Sequence, residues 1–173
     1  MTLFKELKIS QSHLIGNKDQ KKLSSLFNSE QAENLFSKEK IYRINKCKGK
    51  ISVYSCSNEP IFFIIANYKP APVLKYLIKY PIMANHTVFL DSGAFKPIMQ
   101  GANIMAPGIY KYKEMIKSPF MMNDIVCIYI INDGFIAIGI AKIDFNIINE
   151  NTKGVVIEII HRKEDALDEL EIN

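Results

Sequence analysis

The chain has 173 residues and a mass of 19.8 kDa, a length that permits one compact domain or two small ones and excludes a large multidomain enzyme. With 48% hydrophobic and 23% charged residues it is predicted to be globular, since disordered chains combine low hydrophobicity with high net charge. The formal net charge of +4 is too small to indicate a nucleic-acid partner by itself.

The Cys and His residues indicate neither a structural metal site nor a disulfide-bonded secreted domain. The three cysteines form no CxxC pair, and the three histidines have no ligand spacing relative to them. Lys5 and Glu6 precede any apolar run, so no signal peptide is predicted. The longest apolar stretch, residues 125–131, is too short to cross a bilayer. We therefore expect a soluble, cytoplasmic protein that does not bind membranes.

Residues 10–40 carry helical signals. Asn28 and Gln31 have the spacing of a capping box, and apolar residues recur at helical intervals from Leu23 onwards. Three short strands are predicted next, at residues 41–45, 51–55 and 61–66. The lysine-rich turn at residues 46–50 is most simply a solvated loop.

Prolines mark the end of this first region. Pro70 and Pro72 are expected to preclude regular strand pairing. A helix with Leu74 and Leu77 on one side should follow and end before Pro81. Residues 1–84 are thus predicted to form a small mixed α+β domain.

From about residue 85 the sequence changes to dense β-branched strands. A strand at 87–90 is followed by a short helix to Met99, and the glycines and proline of residues 101–108 are expected to interrupt any further helix. Residues 125–131 and 135–142 flank an Asn-Asp-Gly turn that is typical of a β-hairpin. A last strand at 155–161 precedes an acidic tail at 164–171.

Six short strands within about 80 residues predict a small closed barrel. The fold class is therefore α+β: an N-terminal α+β domain at residues 1–84, followed by a barrel domain with an acidic tail at residues 85–173.

Asp91 belongs to a string that could carry chemistry. Residues 89–94, Phe-Leu-Asp-Ser-Gly-Ala, resemble the active-site turn of retroviral-type aspartic proteases, in which two such carboxylates share a proton. The alternative is that Asp91 caps the following helix. We favour it because three-residue coincidences are common in a chain of this length, and because the hairpin turn is also too tight for a protease flap. His161 has no candidate nucleophile, and phosphate-binding fingerprints are absent. No catalytic residue, metal or cofactor is predicted.

The segment from Gly101 to Gly108 is the best candidate for a binding site. It offers backbone donors and the Asn103 amide, with cations at Lys96 before it and at Lys111 and Lys113 after it. Single-stranded RNA is recognised by such groups. A barrel corner that needs glycine to bend is an equally good interpretation of the composition alone.

The same segment resembles a known family. The resemblance rests on Gly101-Ala102-Asn103-Ile104-Met105, Pro107-Gly108, the preceding Asp91-x-Gly93-Ala94, and the following Lys153-Gly154 and Glu158-x-Ile160-His161. These residues resemble the PUA domain, and with the N-terminal half they are similar to the malignant T-cell-amplified sequence and translation machinery-associated family of PUA proteins. The resemblance covers residues 41–163. Ala106 departs from an expected Cys, and residues 165–170 replace an aromatic stretch.

The resemblance implies a non-enzymatic translation factor with a PUA-type pseudo-barrel. Such proteins pair with a density-regulated partner protein and act on the small ribosomal subunit, in release of tRNA and mRNA after termination, in reinitiation and in non-standard initiation. Ribosomal or transfer RNA would be the ligand, with no small-molecule substrate. The implied RNA-binding residues are Lys96, Gly101, Ala102, Asn103, Met105, Pro107, Gly108, Lys111 and Lys113.

A purely structural interaction module stays open, which absence of any RNA affinity would favour, and two further alternatives are more specific. One is a PUA protein of large-subunit assembly, which also places a small α+β domain before the barrel. The other is an aspartic protease built on Asp91.

The net charge divides unequally between the two predicted domains. Residues 1–84 hold 14 Lys and Arg against 6 Asp and Glu, a balance of +8, whereas residues 85–173 hold 8 against 12, a balance of −4. Without the acidic tail, residues 85–163 stand at +1. General attraction to RNA is therefore expected from the N-terminal domain, and local recognition from the barrel.

Overall fold

The computed structural model describes residues 4–37 and 39–172. Within these residues the strands form two five-stranded sheets, one from residues 9–72 and one from residues 87–162. Residues 1–3, part of the segment on which the signal-peptide argument rests, lie outside the described residues. No helix in the described part of the chain is long and apolar enough to cross a membrane.

The first sheet is antiparallel and its strands follow chain order. Helices α1 and α2 lie between β1 and β2 in the chain, and α3 follows β5. The elements are β1 (Ile9–Leu14), α1 (Asn17–Ser24), α2 (Ser29–Leu35), β2 (Tyr42–Cys47), β3 (Ile51–Cys56), β4 (Glu59–Ile65), β5 (Ala71–Pro72) and α3 (Leu74–Lys79).

Two expectations for this region are corrected. The prediction of helix from residue 10 onwards was wrong for β1, whose polar, mostly exposed side chains at the sheet edge leave no alternating pattern to detect. The prolines do not prevent pairing, because β5 pairs with β4 at the other edge, where a missing N–H is tolerated. The capping prediction is confirmed, since the Asn28 Oδ1 accepts a 2.9 Å hydrogen bond from the Gln31 N–H.

The second sheet has the order β6-β8-β9-β10-β7, in which only the β6–β8 pair is parallel. Its elements are β6 (Thr87–Leu90), α4 (Phe95–Met99), β7 (Ile104–Met105), α5 (Ala106–Lys111), β8 (Ile125–Ile130), β9 (Gly134–Ala141) and β10 (Val155–Arg162). The predicted α+β class is confirmed. The described residues of the barrel form five strands, however, and not the predicted six.

The β8–β9 hairpin forms as predicted. Its turn places Asn132 and Gly134 at φ values of 74° and 90°, a left-handed backbone that these two residue types adopt at low cost. The expectation of no further helix after residue 101 was wrong, because α5 begins at Ala106. Pro107 lies in the first turn of α5, where its missing N–H has no intrahelical partner to lose.

The buried apolar side chains form two clusters, of which one lies within the second half of the chain and the other contains residues of both sheets. Phe63 and Leu74 from the first part of the chain pack in the same cluster as Ile125, Cys127 and Ile138 from the second. The face of β8 and β9 that carries these residues is therefore covered by the N-terminal half. This explains why both hairpin arms are almost continuously apolar.

Two polar links reinforce this junction. The Leu74 N–H donates to Nε2 of His161, which is completely buried, over 3.0 Å. The Lys69 Nζ lies 2.6 Å from Asp124 Oδ1. Burial would raise the pKa of Asp124, but hydrogen bonds from Lys69 and the Met121 N–H, with the charges of Lys69 and His86, hold that pKa below its ordinary value.

The acidic tail is folded onto the protein. Asp165 and Leu167 are buried, and the Ala166 N–H donates to the Phe4 carbonyl over 3.0 Å. The Asp165 carboxylate contacts His161 Nδ1 at 2.9 Å and accepts backbone N–H groups from residues 162, 167 and 168. Part of the tail therefore belongs to the core and is not a solvated extension.

Candidate RNA-binding surface

The candidate segment begins with a tight helix end. The Gly101 N–H donates to Ile98 O and the Ala102 N–H to Pro97 O, the paired bonds of a Schellman motif at the end of α4. Gly101 has a φ of +94°, which a residue with a Cβ adopts only with strain. Gly101 thus has a structural reason to be glycine, whatever it binds.

Asn103 fixes the segment to the sheet. Its Oδ1 accepts a 3.0 Å hydrogen bond from the Ile159 N–H of β10, next to an irregularity in the β9–β10 ladder. Among the described residues no partner is recorded for the Asn103 Nδ2 group. The side chain therefore has its oxygen committed to the fold, while the amide nitrogen can still donate to a ligand.

The next residues place side chains alternately inside and outside. Met105 is exposed, Ala106 is completely buried, and Pro107 is exposed in the first turn of α5. The Ala106 N–H donates to Gly154 O over 3.0 Å. Ala106, which stands where the resemblance predicts Cys, thus lies in the core and does not alter the outer surface.

Asp91 organises the neighbouring turn. Its Oδ1 accepts from the Gly93 N–H over 3.0 Å as the cap of a 3-10 turn (Ser92–Ala94), so the capping interpretation is confirmed. Its Oδ2 lies 2.7 Å from Lys111 Nζ and 3.2 Å from the Tyr112 hydroxyl. The hydrogen bond from Lys111 is the main reason that the pKa of Asp91 falls below its ordinary value, and the same bond raises the pKa of Lys111.

The predicted cations differ in how accessible they are. Lys111 is exposed but paired with Asp91, and Lys113 donates to Ile148 O while lying 5.1 Å from the centre of the Phe145 ring. Lys96 is exposed on α4 and forms no ion pair with any described residue. Lys96 is therefore the predicted cation with the least competition for a phosphate.

The structure adds an aromatic side chain that the sequence argument missed. Tyr110 lies on α5 between Gly108 and Lys111 and is 42% exposed. Exposed aromatic rings stack on unpaired bases, and Arg or Lys groups beside them contact phosphates. The position of Tyr110 between the candidate residues Gly108 and Lys111 could have identified it from the sequence.

The described residues offer little for catalysis. Both ring nitrogens of the buried His161 are already hydrogen bonded, and complete burial raises the pKa of the Cys127 thiol to about 12, so that no thiolate forms near neutral pH. No group of three His, Cys, Asp or Glu side chains in the described part of the chain is arranged to hold a metal. The surface can offer hydrogen-bond donors, cations and an aromatic ring.

Two substitutions at Asn103 separate its structural and ligand-binding roles. Asn103→Ala leaves the Ile159 N–H without an acceptor and is expected to lower the free energy of unfolding by about 1–2 kcal/mol. Asn103→Asp keeps an acceptor and should retain stability, but its negative charge should weaken RNA binding. Urea denaturation and RNA titration of both variants test this, and equal destabilisation by Ala and Asp would contradict the assigned hydrogen bond.

Two family models match the chain in succession. A Pre-PUA-like domain matches residues 4–81, and a PUA domain matches residues 86–163. Neither is a catalytic family.

Curated relatives match most of the chain. Translation machinery-associated protein 20 of Saccharomyces cerevisiae is 34% identical over 138 residues, covering 78% of this chain and 75% of the relative. The protein of the same name from Eremothecium gossypii is 33% identical over 143 residues, covering 80% and 77%. Malignant T-cell-amplified sequence 1 of Rattus norvegicus is 31% identical over 126 residues, covering 72% and 68%.

A solved structure supports the fold. A protein of the hyperthermophilic archaeon Pyrococcus horikoshii superposes with a TM-score of 0.73 at 24% identity, covering 92% of this chain and 98% of that one. The similarity extends over both sheets, so the arrangement of a small α+β unit before the barrel is shared.

Proposed function

The chain belongs to the PUA-domain family that includes translation machinery-associated protein 20 and malignant T-cell-amplified sequence 1, and on that premise we propose that it is an RNA-binding translation factor without enzymatic activity. The observation that carries the proposal is the succession of the two matched domains, together with relatives whose names associate them with the translation machinery. The surface described above supports it chemically, because it presents donors, a cation and an exposed aromatic ring.

The finer proposal concerns the protein partner and the stage of translation at which the protein acts. The protein pairs with a density-regulated-type protein and acts on the small ribosomal subunit in the cytoplasm. It promotes release of tRNA and mRNA after termination and supports reinitiation and non-standard initiation. Family membership supports this proposal. The N-terminal domain, which we propose ends at about residue 84, would dock the partner and the subunit.

The RNA contact is proposed at the surface formed by α4, the 101–108 segment and α5. Lys96 and Tyr110 would contact the ligand directly, and the Asn103 amide nitrogen would donate to a base edge. Lys111 would contribute after exchanging Asp91 for a phosphate, since both side chains are exposed and the ion pair between them is weak in water.

Co-sedimentation with purified ribosomal subunits tests the proposal. The protein should migrate with small subunits in the presence of the density-regulated partner, and the logarithm of its affinity should fall linearly with the logarithm of salt concentration. Affinity purification from the native cell should recover the partner and the small subunit together. Absence of both from the purified material would reject the proposal.

The second candidate is a PUA protein of large-subunit assembly, favoured only by the shared order of a small α+β domain before the barrel. Its expected signature is different. Depletion would leave large-subunit precursors while reinitiation on a reporter mRNA continued.

A further inference from the structure

The barrel sheet carries three aromatic side chains in a row across its first three strands. Phe89 of β6 is the register partner of Tyr129 of β8, and Tyr129 is the register partner of Phe135 of β9. The ring centroids of neighbouring members lie 5.5 and 5.1 Å apart. Because register partners on adjacent strands project from the same face of a sheet, the three rings form one continuous surface. We name Phe89, Tyr129 and Phe135 the aromatic row.

The aromatic row lies on the face of the sheet opposite the 101–108 surface. A Cβ on Gly108 would lie 3.6 Å from Leu90 Cδ2, so the Leu90 side chain faces α5. Successive side chains of a strand point to opposite faces, and Phe89 therefore points away from α5. The candidate RNA-binding surface does not account for the row.

The N-terminal half of the chain covers this face of the sheet only in part. Cys127 of β8 and Ile138 of β9 are buried in the cluster that contains residues of both sheets. Tyr129 and Phe135 lie closer to the 132–134 turn and are partly exposed. The row thus begins where the cover supplied by the N-terminal half ends, and a ligand can reach its rings.

An open groove of about 260 Å³ runs along the row. Tyr129 and Phe135 line it from the barrel, and Ile78 and Pro81 line it from the N-terminal half. Ile78 is 48% exposed, although it is a large apolar side chain. A contiguous apolar patch, unlike a single exposed apolar residue, marks an interaction site.

The charges around the groove are compatible with a nucleic acid. Lys163 lines the groove, and Lys75 and Lys79 lie one turn apart on the adjoining helix α3. Asp133 is the only acid among the described residues that line it, and Lys79 is ion-paired with Glu59 at 3.2 Å. The balance is positive but small. Stacking, and not attraction to phosphates, must therefore supply most of the affinity for an RNA ligand.

Tyr129 also offers a free polar group beside the rings. The hydroxyls of Tyr42 and Tyr112 are hydrogen bonded within the protein, whereas the Tyr129 hydroxyl makes no hydrogen bond with any described residue and is not buried. It can therefore donate to, or accept from, the edge of a base that stacks on the row.

We propose that the aromatic row and its groove bind unpaired nucleotides of a single-stranded RNA segment, at a second site on the opposite face from the 101–108 surface. This inference rests on the proposed function. Bases are flat and stack on aromatic rings, and their phosphates would meet Lys163 and Lys75. In a duplex the base faces are stacked on one another and cannot reach the rings. The site should consequently select unpaired RNA.

Three single substitutions test the proposal. Tyr129→Leu keeps an apolar side chain but removes the flat ring, and Tyr129→Phe keeps the ring but removes the hydroxyl. Tyr68→Leu is the control, since Tyr68 is also partly exposed but lies in the N-terminal half, outside the row. The measurement is the affinity for an unstructured oligouridine of about ten nucleotides and for an RNA duplex of the same length. The melting temperature of each variant shows whether it is folded.

Tyr129→Leu should lower the affinity for oligouridine about tenfold, as expected when one base loses its stacking partner, and should leave the affinity for the duplex unchanged. Tyr129→Phe should lose much less, and Tyr68→Leu should bind like the unmodified protein. Equal losses in Tyr129→Leu and Tyr68→Leu would overturn the site. A loss in Tyr129→Phe as large as that in Tyr129→Leu would overturn stacking as its basis.

Photocrosslinking locates the RNA without any substitution. Oligouridine that contains thiouridine should crosslink to the peptide with Tyr129 and Phe135, identified by mass spectrometry. Crosslinks confined to the 101–108 surface would overturn the second site and leave the proposed function intact. If the unmodified protein bound neither oligouridine nor small subunits, the proposed function would be overturned as well. If Tyr129→Leu bound oligouridine normally but lost a protein from the affinity-purified material, the groove would be a protein-docking site and the RNA proposal would be wrong.

Discussion

Replacing Asp165 by alanine is expected to lower the free energy of unfolding by about 3–5 kcal/mol, because a buried charged acceptor of four hydrogen bonds is lost. Asp165 is 4% exposed, and its carboxylate oxygens contact His161 Nδ1 and accept the N–H groups of Arg162, Leu167 and Asp168 over 2.9–3.0 Å. Alanine would leave these donors without an acceptor in or near the core. Urea denaturation followed by far-UV circular dichroism measures the loss, since the chain has no tryptophan to report by fluorescence.

The hydrogen bonds of His161 assign its tautomer and make the asparagine variant informative. Because the Leu74 N–H can only donate, the His161 Nε2 must accept, and the proton lies on Nδ1 facing Asp165. In Asp165→Asn the amide NH2 group would face either the His161 Nδ1–H or the backbone N–H groups. Both are donors, so one favourable contact is lost in either orientation. We therefore expect Asn to recover only part of the stability lost in Asp165→Ala.

Glu169→Ala is the matched control for Asp165→Ala. Glu169 lies in the same acidic segment but is exposed and forms no side-chain hydrogen bond or ion pair with any described residue. Its removal should change the unfolding free energy by less than about 0.5 kcal/mol. A loss in Glu169→Ala as large as that in Asp165→Ala would show that net charge, and not the buried carboxylate, is what stabilises the tail.

The tail shows a general limit of sequence reasoning. Residues 164–171 contain five acids, and the sequence identified them only as an acidic tail. The Asp165 carboxylate contacts residues within four positions, but the burial of this segment depends on Phe4 and on a core that includes Phe63, which are more than 100 residues away in sequence. A charge pattern cannot identify which member of an acidic run faces a buried histidine.

Local signals were sufficient where neighbouring residues decide the structure. The Asn28 cap, the 132–134 hairpin turn and the Asp91 cap depend on residues within three positions, and all three form. Strand β1 depends on pairing with β2 about thirty residues away, and its exposed edge position removes the hydrophobic alternation that would reveal it.

The sequence identified the candidate surface, but it did not predict the contacts within that surface. The 101–108 segment has a recognisable spacing, so its residues could be named in advance. Whether Asn103 and Lys111 are free to meet a ligand depends on Ile159 and Asp91, partners that no spacing rule supplies. Lys113 is likewise occupied by the Ile148 carbonyl. RNA binding by the predicted residues therefore stays a prediction, which the substitutions described above test.

Gly139→Ala is expected to destabilise the barrel by about 3 kcal/mol or to prevent its folding. Gly139 lies in the middle of β9, between Val126 of β8 and Ile159 of β10. A Cβ at this position would overlap Ile157 Cγ2 and lie 2.8 Å from the Glu158 carbonyl oxygen. Since the second obstacle is backbone, a change of side-chain rotamer cannot relieve it. Urea denaturation of the purified variant, or its recovery in the soluble fraction, measures the effect.

Gly108→Ala is the matched control and also tests the candidate surface. A Cβ on Gly108 would meet only Leu90 Cδ2, at the ordinary contact distance of 3.6 Å, and alanine favours a helix by about 0.5–1 kcal/mol over glycine. Gly108→Ala should thus be at least as stable as the unmodified protein. If the RNA backbone approaches α5 closely at Gly108, the added methyl group should reduce affinity about tenfold in this stable variant. Unchanged affinity would instead remove Gly108 from the contact and leave Lys96 and Tyr110 as the residues that define it.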